Sequence, residues 1–156
     1  MTRNVQIRVA TLADARELSE LIYENAFEAL APCYSKAQWS AFKMYYAAES
    51  MQQKIENQIV LCAILSGSIV GTIALHDSFV VGFYVKLKNL KQGIGKLLMR
   101  HIEEVALKMG MTSINLAASP AGLPYYYKNG WQQVSDIEID HHGVKFEETL
   151  MRKDLL

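Results

Sequence analysis

The spacing of apolar residues changes several times along the chain. Val5 to Ala10 (VQIRVA) alternates with a period of two and predicts a strand. Thr11 with Asp14 three residues on marks a helix start, and Leu18, Leu21, Ile22 and Ala26 form one stripe of a helix over Ala13–Leu30. Ser35 with Gln38 is a capping-box pair that opens a second helix, SKAQWSAFKMYYAAES. Three apolar strands follow: Ile59–Leu65 and Ile69–His76 form a hairpin around Gly67, and Phe79–Val85 comes after Asp77-Ser78. Ile94, Leu97, Leu98, Ile102, Val105 and Met109 then recur at helical spacing, with Gly110 placed to end the helix. Ser113–Ser119 predicts a strand and PAGLPYYYKNGW a short helix ending at Asn129-Gly130. The strands WQQVSDIEID and VKFEETLMRK flank a His141-His142-Gly143 turn.

The predicted order is β-α-α-β-β-β-α-β-α-β-β. Strands and helices alternate around a mixed sheet, so the expected class is α/β, or three-layer α+β. The strand–loop–helix–strand unit at the centre is expected to be a right-handed parallel crossover. No repeat, linker or low-complexity tract interrupts the 156 residues, which predicts a single domain over 1–156.

Composition narrows the range of functions. Sixteen basic residues balance sixteen acidic ones. This argues against a duplex nucleic-acid partner, although Lys86, Lys88, Lys91 and Lys96 make a local basic patch. Cys33 and Cys62 have no CxxC spacing and apolar or aromatic neighbours, so both are expected to be buried thiols. The N-terminal stretch lacks a signal-peptide core and no apolar run reaches membrane-spanning length. The expectation is therefore a cytoplasmic protein without a membrane partner. His141-His142 has no further ligands at metal spacing, and no metal is expected.

The chemistry centres on LKQGIGKLL, Leu90–Leu98, between a strand and a helix. The first N–H groups of a helix lack internal partners and carry partial positive charge, so they suit a phosphate. Leu97 stands where a nucleoside-triphosphate loop needs Ser or Thr, and Leu98 where a dinucleotide fingerprint needs glycine. A coenzyme A pyrophosphate site, or a helix that merely begins with glycines, remains.

The surrounding motifs resemble the GNAT superfamily of acyl-CoA-dependent N-acyltransferases. Phe83-Tyr84-Val85 matches the hydrophobic-aromatic-Val triplet that ends the family's central strand, and Gly93 lies eight positions after Val85, as in the family's Q/R-x-x-G-x-G/A loop. Ser119, followed by Tyr125-Tyr126-Tyr127-Lys128-Asn129-Gly130-Trp131, matches the later strand end and aromatic helix. The resemblance extends to IRVATLADARELSELIYENAF near the start and ETLMRKDL at the end. Departures are Leu90 in place of Gln or Arg, Leu87 in place of a proline, and Ser119 where many members carry asparagine.

The resemblance implies a mostly antiparallel mixed sheet of about 6–7 strands with helices on both faces and a central parallel pair splayed into a V. It implies acetyl-CoA as co-substrate, no metal, and a small-molecule or peptide amine as acceptor, in a monomer or homodimer. The cofactor contacts it implies are Phe83, Tyr84, Val85, Leu90, Lys91, Gln92, Gly93, Ile94, Gly95, Lys96, Ser119, Tyr126 and Lys128. The Val85 N–H would polarise the thioester and Tyr126 would protonate the leaving thiolate. An acceptor pocket would draw on Tyr23, Phe27, Tyr34 and His76. No carboxylate stands in Phe79–Val85 where many members place a base, which leaves His76, Asp77, Glu24 and Glu28 as alternatives. A catalytically weak acyl-CoA sensor of the same fold is the runner-up.

Overall fold

The computed structural model describes residues 4–156. Among these, seven strands form one sheet: β1 (Gln6–Val9), β2 (Ile59–Leu65), β3 (Ser68–His76), β4 (Phe79–Val85), β5 (Ser113–Ala118), β6 (Gln132–His141) and β7 (Val144–Asp154). The spatial order is β1-β2-β3-β4-β5-β7-β6. Every neighbouring pair is antiparallel except β4 and β5. Five helices cover the faces: α1 (Ala15–Ala29), α2 (Lys36–Tyr45), α3 (Ala48–Asn57), α4 (Ile94–Lys108) and α5 (Leu123–Lys128).

The sheet separates two apolar cores, as a three-layer arrangement requires. On one side Leu98, Ile102 and Ala106 of α4 pack, fully buried, on Ile73, Ile114 and Met151. On the other, Leu18, Ile22 and Ala26 of α1 pack with Phe42, Tyr46 and Met51 on Val60, Cys62 and Ala74.

The expected second helix is two helices. Tyr46 leaves helical geometry and Ala47 turns extended, at φ −60° and ψ 156°. Three carbonyls at this corner are taken by side chains. Ser50 Oγ donates to Met44, Lys54 Nζ to Tyr45 and Ser19 Oγ to Tyr46, at 2.9, 2.7 and 2.6 Å. Carbonyls bonded this way have no need of the next helical turn. A second difference concerns Cys33, which is exposed in a short turn after α1, whereas Cys62 is buried as expected.

Candidate active-site cleft

β4 and β5 meet at a single register pair, Phe79 with Asn115, clasped by the Asn115 N–H to the Ser78 carbonyl at 2.8 Å. Beyond it the strands part. β4 carries an extra residue opposite Thr72–Ala74, with Gly82 in the left-handed region at φ +58°. Such a bulge bends its strand, and glycine adopts this φ without a Cβ clash. The bulge also resets the strand's phase: Val80 and Phe83, three positions apart, both pack toward α4. Lys86 N–H donates to Val70 toward β3 at 2.8 Å. Successive N–H groups of a strand alternate in direction, so that of Val85 faces the gap.

A cleft of about 810 Å³ fills the opening between the parted strands. At one end stands the glycine loop. Lys91 and Gly93 both lie in the left-handed region, at φ +62° and +84°, and α4 starts at Ile94. Leu97 N–H reaches back to Gly93 at 3.0 Å, which leaves the N–H groups of Ile94, Gly95 and Lys96 ahead of the helical ladder. Alternating backbone of this kind makes an anion-binding concavity. Gly95 lets the helix start sit close on β4, since a Cβ there would meet Phe83 at 3.3 Å and Val85 at 3.6 Å.

Two asparagines not singled out from the sequence brace this end. Asn25 of α1 accepts the Leu87 N–H at 3.1 Å, and both Asn25 and Asn89 border the cleft. Asn25 Nδ2 and Asn89 Oδ1 are buried without a hydrogen-bond partner among the described residues. Orphan polar atoms, free helix N–H groups and Lys91 and Lys96 together suit a ligand carrying both phosphate and amide groups.

On the opposite wall, Tyr126 of α5 packs edge-on against Trp131 and Tyr125. A Cβ on Gly122 would meet Tyr126 at 3.0 Å and Ser119 at 3.6 Å, so these three residues form one compact corner of the cleft. Burial, then Tyr125 and Glu148, raise the Tyr126 pKa well above its ordinary 10.0, which keeps the phenol protonated.

The far end is aromatic: Tyr34, Phe42, Tyr45, Tyr46 and Phe146 border it. Among them stands Glu148 of β7, the one carboxylate among the described residues that line the cleft. Burial pushes its pKa from an ordinary 4.5 up to about 7. Burial is also the leading cause of the raised pKa at Tyr34, Tyr45, Tyr46, Tyr84 and Tyr126, and the charge of Glu148 contributes at all five. Glu148 was not singled out from the sequence, yet a signal was present. It lies two residues after Phe146 and two before Leu150, on an apolar row of a period-two strand.

Most of the expected contacts border the cleft: Phe83, Tyr84, Val85, Leu90, Lys91, Gly93, Ile94, Gly95, Lys96, Ser119 and Tyr126, as do Tyr34 and His76 of the expected acceptor pocket. Gln92 lies in the loop without lining the cleft, and Lys128 is exposed at the end of α5 away from it. Tyr23 and Phe27 are also outside. The Tyr23 hydroxyl donates to the Lys43 carbonyl, and Phe27, 60% exposed, lies edge-on to Trp39. His76 faces solvent with Asp77 at 3.9 Å. Glu24 and Glu28 of α1 are exposed and outside the cleft. Among the described residues no group of three or more His, Cys, Asp or Glu could hold a metal ion, and no helix is long and apolar enough to cross a membrane.

No curated protein sequence matches the chain at a significant level. Solved structures do share its fold. A GCN5-related N-acetyltransferase from Rhodopseudomonas palustris superposes with a TM-score of 0.87 at 20% identity, covering 96% of this chain and 94% of that one. The PaiA N-acetyltransferase from Thermoplasma acidophilum, in complex with coenzyme A, gives 0.80 at 21% identity over 96% and 98%. An aminoglycoside 6'-N-acetyltransferase complexed with coenzyme A gives 0.69 at 15% identity over 97% of both chains. A sequence profile described as "Acetyltransferase (GNAT) domain" matches residues 30–155. A match across most of the chain, on a sheet split at its single parallel pair, makes the protein a member of the GNAT acetyltransferases and an acyltransferase enzyme.

Proposed function

We propose that the protein transfers the acetyl group of acetyl-CoA to a primary amine by direct attack. The observation that carries this reading is the convergence on one cleft of three groups. These are the helix-start N–H groups of Ile94–Lys96, the gap-facing N–H of Val85 and the protonated Tyr126. Two structural neighbours described as complexes with coenzyme A support the choice of donor.

Acetyl-CoA is a substrate here, with its pyrophosphate on the loop N–H groups and Lys91 and Lys96 as charge partners. The amine nitrogen attacks the thioester carbonyl carbon. Charge builds on the carbonyl oxygen, where the Val85 N–H stabilises it. The C–S bond then breaks and the sulfur takes a proton from Tyr126, which recovers one from the protonated product nitrogen. Attack requires the neutral amine, and Glu148 accepts the proton that an ammonium must shed. A carboxyl with a pKa near neutrality suits that role.

Calorimetric titration with acetyl-CoA, followed by free-thiol release against a panel of amines, tests the reading. Binding together with amine-dependent thiol release supports it. Binding without release from any amine would favour an acyl-CoA sensor, and no binding would remove the donor altogether.

A further inference from the structure

We propose that the acceptor is a primary amine with an apolar, arylalkyl-type body and no carboxylate beside the amine; this rests on the acetyl-transfer reading above. The cleft is electrostatically polarised along its length. Its lysines, Lys91 and Lys96, both belong to the glycine-loop end, and its one carboxylate, Glu148, belongs to the aromatic end. Glu148 is half-buried and has no hydrogen bond or ion pair among the described residues, which is costly unless a cation arrives to face it.

Among the described residues that line the cleft, no such cation stands at this end. Lys54 is not among the residues that line the cleft. Its Nζ donates to the Tyr45 carbonyl at 2.7 Å and lies 3.6 Å over the Tyr45 ring, behind the cleft wall. His141 of β6 borders the cleft, 4.2 Å from the Tyr45 ring and 5.2 Å from that of Phe146. Burial, then Lys54, lower its pKa, so it is neutral at pH 7. His76 faces solvent beside Asp77. The phenols of Tyr34, Tyr45, Tyr46, Tyr84 and Tyr126 also feel the charge of Glu148, and all are held neutral.

A ligand ammonium therefore finds Glu148 as counter-charge and aromatic faces around it. An α-carboxylate carried by the same ligand would meet Glu148 and apolar walls, with no cation to receive it. A polyamine would leave further ammonium groups against those walls, because the described residues that line the cleft include no second carboxylate.

The test is free-thiol release by the wild-type protein with 2-phenylethylamine, phenylalanine and spermidine. The first two differ only by the carboxylate. The expected kcat/KM for 2-phenylethylamine exceeds that for phenylalanine by about 100-fold or more, the scale at which an unpaired buried charge discriminates. In Glu148→Gln both rates fall and the ratio contracts toward about 10-fold or less, because the like-charge repulsion is gone. Phenylalanine or spermidine reacting as well as 2-phenylethylamine overturns the inference, and so does release with none of the three. The wild-type ratio needs no variant to fold. Acetyl-CoA titration of the same sample keeps the two readings apart. If the donor binds and the wrong amine reacts, acetyl transfer stands and the acceptor class falls. If the donor does not bind, both fall.

Discussion

Replacing Glu148 with glutamine separates what this residue costs the fold from what it contributes to chemistry. Its carboxyl is raised from 4.5 to about 7 by burial. Each pKa unit is about 1.4 kcal/mol of differential interaction, so the full shift corresponds to about 3 kcal/mol, and a cleft-facing group is partly solvated, which brings the expectation nearer 2 kcal/mol. The sign follows from proton counting. Between pH 4.5 and 7 the native chain holds a proton that the unfolded chain has released, so wild-type stability falls as pH rises through that window. Glutamine does not titrate. Glu148→Gln should therefore be more stable than wild type at pH 8, by roughly 4–8 °C in Tm for a chain of this length, with the gap closing toward pH 5. Activity should move the other way, with kcat/KM for the best amine falling by about 10²–10³ and the acidic limb near pH 7 disappearing from the variant's profile. Thermal melts at four pH values and thiol-release profiles measure both. A Tm gap that ignores pH, together with an unchanged limb, would refute the placement of a half-buried, unpartnered carboxyl in the cleft.

Further substitutions examine other parts of the molecule. Tyr126→Phe should lower kcat by about 10²-fold while leaving the acetyl-CoA affinity within about 3-fold, since it removes a proton donor and keeps the ring packing on Trp131. Asp14→Asn breaks the paired contacts from Arg8 at 2.7 and 2.9 Å. Chiefly through that hydrogen bond, Arg8 lowers the Asp14 pKa from 3.8 to about 2, so the stabilisation is present above pH 3.8 and lost as pH falls toward 2. Because Arg8 is partly exposed, the expected loss at pH 7 is about 1 kcal/mol by denaturant titration, vanishing near pH 2. Leu98→Ala empties a fully buried position against Gly71, and its cost by the same measurement should be about 2–5 kcal/mol with no change in the pH profile of activity.

Much of this protein is local in origin and was therefore readable along the chain. The apolar runs of Ile59–Leu65 and Ile69–His76, the stripe of α4, and the Ser35–Gln38 cap are set by neighbours a few positions apart, and each forms where expected. The glycine loop and Tyr126 were also legible, because their spacing from Val85 and Gly130 is a property of sequence alone. Other features depend on contacts between distant segments. The break at Tyr46–Ala47 arises because Ser19, 27 positions away, takes the Tyr46 carbonyl, with Lys54 and Ser50 taking its neighbours. Tyr23 and Phe27 lie on the expected helix, but the hydroxyl of one is bound to α2 and the ring of the other lies against Trp39, so neither reaches the cleft. Cys33 has apolar neighbours in sequence and solvent around it in space.

Glu148 shows the division most clearly. Its place on an apolar row of β7 is a matter of period two and belongs to the sequence. Its raised pKa comes from burial, in a cleft that tyrosines from four other parts of the chain also line. Hydrophobic period and turn chemistry act over a few residues, so the sequence by itself determined most of the elements that form and where the glycine loop stands. Desolvation and charge complementarity depend on what surrounds a group in three dimensions, so only the tertiary structure decided which carboxylate lines the cleft and which of the described charged groups lie beside it.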